Sequence, residues 1–297
     1  NINNTLINEL IQKLDGAYAE STIRAYRKNL GTYATFCELK GYPFLPSPVE
    51  AIVAFIDHLT GLELSAFYIR RHVTAIALIH RMSRYPDPTI DPDIKIALRR
   101  AFRQRGRYQR QAVGMNYVLI DKILQGTPET LHGTRNRMLL QVAYETLCRR
   151  SELVQLRIED IETLDHPQYC VRILLRKSKT DPFKEGRWLY ITQKGKTMID
   201  QWLEKTGLTR GYLLRGIRKG DHLTEQLHPG QVNKALKRMG RAMGLPKATV
   251  EHISGHSIRV GAAQDLCAQG SSLPQIMAKG RWVKTDTLMR YVEHAII

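Results

Sequence analysis

Few segments of this 297-residue sequence have the spacings that mark a familiar catalytic site. There is no glycine-rich phosphate loop with its lysine, no HExxH or GxSxG motif, and no GxGxxG motif after a predicted strand. His252 and His256 lie four residues apart, a spacing that suits two metal ligands, but no cysteine or acidic third ligand stands at a useful distance. We therefore expect chemistry that uses no metal and no cofactor.

Two short motifs pair an arginine with a second ionisable residue three positions away. Arg149 and Glu152 follow an apolar run at 138–147, whereas His256 and Arg259 follow the flexible helix entry at Gly255. Residues three apart on a helix share a face, so each pair can act on one target. From spacing alone, Arg149 and Glu152 are equally compatible with a functional arginine and with a structural ion pair at a helix end.

Two aromatic residues near the end of the sequence complete the set of candidates. Trp282 precedes Tyr291 by nine residues, and Tyr291 follows Leu288 and Met289 on a predicted short helix. A tyrosine in that setting is far more often a core or interface residue than a nucleophile. Taken singly, none of these residues identifies a reaction.

The second half of the sequence predicts the mixed α/β arrangement that would have to position these residues. Two strands are favoured at 169–176 and 187–192, joined by a turn-rich polar segment that contains Lys177 and Lys179. Apolar residues at helical spacing predict helices at about 117–125, 134–147, 195–206, 231–243, 256–269, 272–279 and 285–294.

The first hundred residues favour helices throughout. Helices are predicted at about 21–39 and 65–83, and 47–50 has the pattern of a capping box with proline at the first helical position. Several basic residues face away from the apolar stripes, which is typical of a solvated face and also suits contact with phosphates. The candidates on these two helices are Arg24, Arg27, Lys28, Arg70 and Arg71.

A run of arginines separates the two halves. Between residues 99 and 110 there are six arginines and no acidic residue. Because a run of like charges repels itself and resists packing, we expect a flexible or partner-ordered linker. The predicted organisation is a helical domain at 1–103, a linker at 104–114 and a second domain at 115–297. The arginines are Arg99, Arg100, Arg103, Arg105, Arg107 and Arg110.

The charge of the sequence narrows the class of partner. Lys and Arg total 45 against 28 Asp and Glu, a formal net charge of +17, and both halves are cationic. Such a surplus favours a polyanion, since basic side chains release condensed counterions when they neutralise phosphates. Four cysteines without CxxC spacing, and no apolar segment near about 20 residues, favour a cytoplasmic protein without disulfides or membrane spans.

The order of the motifs along the chain carries more information than any one of them. Arg149, a lysine between two strands, His256 with Arg259, and then Trp282 and Tyr291 resemble the catalytic set of the tyrosine site-specific recombinases, which are the phage integrase type. The gap of 35 residues between His256 and Tyr291 also agrees. The matching stretches are YETLCRRSELVQLRIEDI (144–161), SKT (178–180), SGHSIRVGAAQDL (254–266) and PQIMAKGRWVKTDTLMRYV (274–292), with weaker similarity through the N-terminal helices.

The resemblance implies how a phosphate would be attacked. Tyr291 matches the nucleophile, which would form a 3′-phosphotyrosine and release a 5′-hydroxyl. Arg149 and Arg259 match two arginines that clamp the phosphate, a task that suits guanidinium groups because they stay charged and bind bidentately. Lys179 matches the general acid for the 5′ oxygen, with the neighbouring Lys177 as a competitor.

The remaining candidates are implied to assist that reaction. His256 matches a histidine that contacts the phosphate and assists proton transfer. Trp282 matches a position whose indole N–H can only donate, so it would bind a phosphate oxygen without moving a proton. Glu152 is implied to orient the site as a partner of the histidine or an arginine.

The resemblance also implies a fold and an assembly. It predicts a mainly α fold with a small β-sheet, in which an N-terminal helical bundle and a C-terminal mixed α/β catalytic domain form a clamp around DNA. The implied partners are double-stranded DNA with inverted-repeat sites and a homotetramer on two sites. In relatives a further helix after the nucleophile docks into a neighbouring subunit, whereas only residues 292–297 follow Tyr291 here, so we expect a weaker tetramer contact. A bacterial, plasmid or phage origin is implied as well.

Two other functions would use the same features. A topoisomerase of type IB or a telomere-resolving enzyme would run the same chemistry but reseal ends within one duplex. An architectural or excision-directing protein would bind DNA without cleaving it. The complete set of catalytic candidates favours an enzyme, because a protein that only binds DNA has no need of a nucleophile, and the predicted function is site-specific recombination.

Overall fold

The computed structural model describes residues 2–106, 112–178, 181 and 185–293. Its N-terminal part consists of helices. The chain divides into two compact units, residues 1–110 and 111–297. The helices of the first unit are α1 (Ile2–Gln12), α2 (Glu20–Lys40), α3 (Val49–Gly61), α4 (Ala66–Met82) and α5 (Pro92–Arg105).

Aromatic residues occupy the centre of the first unit. Tyr33 and Phe36 of α2 are buried against Phe55 of α3, with ring centroids 4.9 and 5.0 Å apart. Aliphatic residues of α1, α4 and α5 complete this core. The predicted helices at 21–39 and 65–83 agree with α2 and α4 to within one residue at each end, because their apolar spacing is regular.

The predicted capping box at the start of α3 is wrong. Pro48 is the N-cap residue and no side chain caps this helix. The Ser47 hydroxyl instead donates to the carbonyl oxygen of Phe44 at 2.5 Å, and its backbone N–H donates to Nε2 of the buried His80 at 2.9 Å. Ser47 therefore ties the segment before α3 to α4.

The expectation that the arginine run resists packing is also wrong up to residue 105. α5 continues through Arg105, because Ile94, Ala97 and Ala101 recur at helical spacing and are buried. The arginine side chains extend to the surface, where Arg100 lies 3.5 Å from Asp57 and Arg105 lies 3.4 Å from Glu63. Like charges on one helix are tolerated when each can reach water or a carboxylate on its neighbour.

The second unit combines helices with a small sheet. Its strands are β1 (Ile161–Thr163), β2 (Val171–Leu175) and β3 (Arg187–Ile191), antiparallel in the order β1-β2-β3. Ile173 at the centre of β2 is paired with Ile161 and Leu189. The helices are α6 (Tyr117–Gln125), α7 (Leu131–Thr146), α8 (Arg150–Leu153), α9 (Gln193–Thr206), α10 (Pro229–Ala242), α11 (Lys247–His252), α12 (Gly255–Ala268), α13 (Leu273–Gly280) and α14 (Thr285–Val292).

α7 is the central helix of the second unit. Twelve of its sixteen residues are buried, since it packs against α9, α12 and β3. The predicted fold class, mainly α with a small sheet, is confirmed, while β1, α8 and α11 were not predicted from the sequence. No helix among the described residues is long and apolar enough to cross a membrane.

Candidate active site

Arg149 lies in the short connection between α7 and α8. α7 ends at Thr146, and the buried Leu147 adopts a left-handed conformation with φ of 50°. Arg149 is the N-cap residue of α8. The backbone N–H of Arg149 donates to Glu152 Oε2 at 3.0 Å, and its Nη1 donates to Glu152 Oε1 at 2.6 Å. The ion pair considered from the spacing is therefore present, and it fixes Arg149 at the start of α8.

Arg259 is buried in the first turns of α12, with 2% of its surface exposed. Its terminal nitrogens donate to the carbonyl oxygens of Leu147 and Gly280, the latter at 2.8 Å. The guanidinium lies 4.6 Å from the ring centroid of Trp282, a cation–π geometry. Burial, together with Arg149 and Arg281, lowers the pKa of Arg259 to about 10. The side chain therefore remains a cation at neutral pH.

The phenol ring of Tyr291 contacts two other candidate residues. Its centroid lies 5.1 Å from that of His256, nearly perpendicular to it, and 5.8 Å from that of Trp282. Gln264 of α12 donates to the Tyr291 carbonyl oxygen at 3.0 Å and so ties α14 to α12. Burial raises the pKa of Tyr291, an effect that Arg259, Arg290 and Arg149 oppose. The phenol is thus protonated at neutral pH and must lose its proton to act as a nucleophile.

His256 lies in the first turn of α12, beside the tyrosine ring. Desolvation by its packed neighbours, followed by the charges of Arg259 and Arg149, lowers the pKa of His256 to about 4. The residue as a whole is exposed to solvent, and the remaining hydration opposes part of this desolvation. The imidazole is therefore neutral near pH 7 and has a nitrogen free of a proton.

Glu152 is buried at the centre of the cationic group. Its Oε1 accepts from Arg149 and from the Ser178 hydroxyl, the latter at 2.8 Å. Its Oε2 accepts from the Arg149 backbone and from Arg281 Nη2, both at 3.0 Å. Although burial raises the pKa of Glu152, Arg281 and Arg149 lower it further than burial raises it, so the carboxyl is ionised. Its partners are arginines rather than the histidine.

Sequence reasoning missed Arg281. This side chain is 6% exposed and bonds with Glu152 and with carbonyl oxygens at the end of α7. An arginine beside a tryptophan carries no periodicity or motif signal. Its contacts with Glu152 and with the end of α7 join positions more than 120 residues apart, which the local pattern does not record.

The predicted general acid, Lys179, lies outside the described residues. The residues that flank the gap, Ser178 and Asp181, pair as an isolated bridge, and Ser178 also bonds with Glu152. Ser178, the last described residue before Lys179, is thus attached to the arginine site through Glu152. The competing Lys177 is exposed.

The predicted DNA-contact residues of the first unit lie on the surface. Burial lowers the pKa of His72 in α4, and the charges of Arg71 and of Lys28 in α2 lower it further. Arg105 is partly buried, and Arg107 and Arg110 lie outside the described residues. The exposed side chains are Arg24, Arg27, Lys28, Arg70, Arg71, Arg99, Arg100 and Arg103.

A second basic group was also missed from the sequence. A cavity of about 510 Å³ at the start of α10 is lined by His132, Arg135, Arg218, Lys234 and Arg238. Arg135 is 6% exposed, and burial together with Arg238 lowers its pKa to about 10. Its guanidinium bonds with the side-chain oxygen of the adjacent asparagine. Positive charge is thus concentrated here as well.

No group of three or more His, Cys, Asp or Glu side chains in the described part of the chain is arranged to hold a metal ion. His252 and His256 lie on different helices, α11 and α12, rather than on one face. The use of a metal-free reaction stays a prediction.

Comparison with known proteins identifies the architecture. Recombinase Cre of Escherichia phage P1 is 24% identical over 296 residues, covering 94% of this chain and 85% of Cre. An integrase/recombinase XerD homologue of Selenomonas ruminantium is 27% identical, covering 96% of this chain and 85% of the homologue. The fold also matches XerH site-specific recombinase, determined with a palindromic difH substrate in a post-cleavage complex. That match has a TM-score of 0.68 and 16% identity, and covers 98% of this chain and 81% of XerH.

The family follows from the extent of the sequence match. Residues 119–296 match the sequence model of the Phage integrase family, and they contain α7, α12, α14 and every described residue of the site above. This stretch is more than half of the chain. The protein therefore belongs to the phage integrase family of tyrosine recombinases, as its motif order predicted.

Proposed function

We propose that this protein is a site-specific DNA recombinase that cleaves and rejoins DNA through a covalent 3′-phosphotyrosine. The observation that carries the proposal is the convergence of Arg149, His256, Arg259, Trp282 and Tyr291 from three separate stretches of sequence. Cationic, aromatic and phenolic groups meet without a described metal-ligand cluster. That combination suits phosphoryl transfer, in which catalysis rests on positioning and on fixed charge.

Each residue has a role in the proposed reaction. The Tyr291 oxygen attacks the scissile phosphorus while its proton passes to the neutral imidazole of His256. Arg149 and Arg259 stabilise the charge on the non-bridging oxygens, and the Trp282 N–H donates to one of them. The bond from phosphorus to the 5′ oxygen breaks, and Lys179 gives that oxygen a proton.

The covalent intermediate explains how strands can be exchanged without ATP. The phosphotyrosine keeps the energy of the broken phosphodiester, so a 5′-hydroxyl from a second duplex can reverse the reaction at no net cost. Two such exchanges pass through a Holliday junction. We propose a homotetramer on two DNA sites, each site an inverted repeat around a short spacer.

The surface charges would hold the DNA. The basic residues of α2, α4 and α5 in the first unit and the cavity at the start of α10 in the second would neutralise phosphates. An N-terminal DNA-binding domain at 1–103, a linker at 104–114 and a clamp made by both domains stay predictions.

The proposal is tested by trapping the intermediate. A duplex is first selected by the protein from random DNA. A nick near the cleavage point then lets the short fragment that carries the released 5′-hydroxyl diffuse away, so the reaction cannot reverse. The protein should form a denaturant-resistant adduct with this duplex. Tyr291→Phe should abolish the adduct, whereas Tyr144→Phe, at a half-buried tyrosine that bonds with Asp265 at 2.6 Å, should retain it.

The other outcomes separate the remaining functions. An adduct that persists in Tyr291→Phe would overturn the nucleophile assignment. Tight binding with no adduct on any nicked position would favour an architectural protein. Relaxation of supercoiled DNA that lacks the selected site would favour a topoisomerase.

A further inference from the structure

Arg281 occupies a position that disfavours its own residue type. It follows α13 with φ of 56° and ψ of 44°, in the left-handed region where a Cβ atom is unfavourable. Its charged side chain is buried as well. Both features are unfavourable by themselves, so the contacts of the side chain must compensate for them.

Those contacts converge on the connection that carries Arg149. Nη1 donates to the Thr146 carbonyl oxygen at 3.1 Å, and Nη2 donates to the Leu147 carbonyl oxygen at 3.0 Å. These carbonyls end α7 and lack the partners that a continuing helix would provide. In return, the Arg281 carbonyl oxygen accepts Arg149 Nη2 at 3.3 Å. The side chain and the backbone of Arg281 thus fix the same short segment from two directions.

Arg281 also shares the carboxylate of Glu152. Its Nη2 lies 3.0 Å from Oε2, while Arg149 Nη1 lies 2.6 Å from Oε1. Without Arg281, Arg149 would be the one cation among the described residues that bonds this buried carboxylate directly. With it, the guanidinium groups of Arg149 and Arg281 both bond the carboxylate. Together with Arg259, whose pKa Glu152 also affects, they leave a surplus of positive charge for a phosphate.

We propose that Arg281 is a positioning residue of the reaction centre, which holds the end of α7 and Glu152 so that Arg149 and Arg259 stay aligned on the phosphate. This inference rests on the proposed function. Arg281 is too deeply buried to touch DNA itself, so it acts through its neighbours. Among the described residues, the charged or titratable groups that act on Glu152 are Arg149, Arg259, Arg281 and the buried Cys148 thiol.

Arg84 offers a matched control. It also has a left-handed backbone, with φ of 61°, but it is exposed and lies in the first unit. Arg84→Gly and Arg281→Gly relieve the same backbone conformation. The second alone removes contacts to Glu152 and α7.

The first readout is cleavage of the nicked, selected duplex in a single turnover at saturating protein. Arg281→Gly should lower the rate of adduct formation about 10²-fold, since a small misplacement of the clamping arginines has that effect. DNA affinity should stay near that of the parent. Arg281→Lys, which keeps the charge, should recover part of the rate, and Arg84→Gly should match the parent.

The second readout is the titration of Glu152 in the free protein, followed by ¹³C carboxyl NMR and assigned with Glu152→Gln. Loss of Arg281 should raise the midpoint by about one pH unit or more. An arginine that only filled space, without acting on Glu152, would leave the midpoint unmoved. Arg281→Lys should hold the midpoint near the parental one, and it keeps the test available if the glycine variant does not fold.

Two results would overturn the inference: a parental cleavage rate in Arg281→Gly, or an unchanged Glu152 midpoint. If the parent protein forms no adduct on any selected duplex, the proposed function fails. The Glu152 titration then still decides whether Arg281 acts on Glu152, separately from the reaction.

Discussion

The arginines of α5 and those of the reaction centre have the same chemistry and opposite surroundings. On α5, Ile94, Ala97 and Ala101 make the buried face, and the arginine side chains reach outward to water or to carboxylates such as Asp57. In the centre, Arg259 and Arg281 are themselves buried and bond with backbone carbonyls. The surface arginines are interchangeable charges, whereas the buried ones have fixed positions.

That difference separates holding DNA from acting on it. An exposed cation contributes to affinity through counterion release, and a neighbour can replace it. A buried cation with fixed acceptors is aligned before the substrate arrives, so it needs no reorganisation when charge develops on the phosphate. The count of charges in the sequence does not distinguish these roles.

The largest expected effect comes from the reaction-centre side of this comparison. Arg149→Ala and Arg259→Ala should each lower the single-turnover cleavage rate at least about 10²-fold, since each removes transition-state stabilisation. A quench-flow measurement on the nicked duplex checks this. Arg172 is the matched control, because it pairs with Glu162 at 2.6 Å and lies 4.1 Å from the Trp188 ring centroid at the surface. An equal loss of cleavage rate in Arg172→Ala would mean that the loss does not depend on the position of the arginine in the reaction centre.

A second effect concerns how α12 is held. A Cβ atom at Gly261 would overlap the backbone carbonyl of Met115, whose N–H donates to the Ser257 carbonyl oxygen of the same helix at 2.9 Å. Gly261→Ala should therefore lower the free energy of unfolding of the second unit by about 1–3 kcal/mol. Gly31 of α2 has open space around it, so Gly31→Ala should stabilise the first unit by about 0.5–1 kcal/mol. Chemical denaturation of each variant measures both, and equal changes at the two sites would contradict the close approach at Gly261.

The exposed side of the comparison predicts a smaller effect. Replacing Arg99 and Arg103 by Gln should weaken DNA binding and reduce the slope of log affinity against log salt by about 0.9 for each phosphate that is no longer neutralised. Cleavage at saturating DNA should not change. Fluorescence anisotropy over a salt series measures the slope, and a loss of cleavage comparable with that of Arg149→Ala would erase the distinction between the two sets.

The smallest effect is a pH dependence of the first unit. Burial lowers the pKa of both His72 and His80, so each is neutral in the folded unit. The unfolded chain takes up these protons near pH ~6.5. Stability from this source is present above that pH and is lost as the pH falls below it. Amide hydrogen exchange in α4 should reveal the loss, which His80→Gln should reduce and the exposed His58→Gln should not. Equal behaviour of the two variants would contradict the assignment.

The regular elements could be predicted from the sequence, and the short ones could not. Helices such as α6 and α14 have enough apolar residues to establish a period, whereas β1 has three residues and α8 has four. α5 was not predicted through Arg105, because the run of arginines was taken as evidence against packing although Ile94, Ala97 and Ala101 recur at helical spacing. The apolar residues and the charged residues lie on different faces of the same helix.

The sequence predicted only those site residues that belong to motifs in a fixed order along the chain. The motifs named Arg149, His256, Arg259, Trp282 and Tyr291, and the roles of these residues stay predictions. Arg281 could not be found, because its ion pair with Glu152 joins residues 129 positions apart. Nor does a sequence distinguish a buried cation from a solvated one, which is the property that separates the two arginine groups.

The central claim is that one tyrosine, placed among buried cations, becomes bonded to DNA. The most direct test is to digest the trapped adduct with trypsin and nuclease and locate the remaining nucleotide by mass spectrometry. We expect it on the peptide that starts after Arg290, attached through the oxygen of Tyr291. A nucleotide on a peptide that contains Tyr144 or Tyr169 instead, or on a serine, would contradict this account of the site.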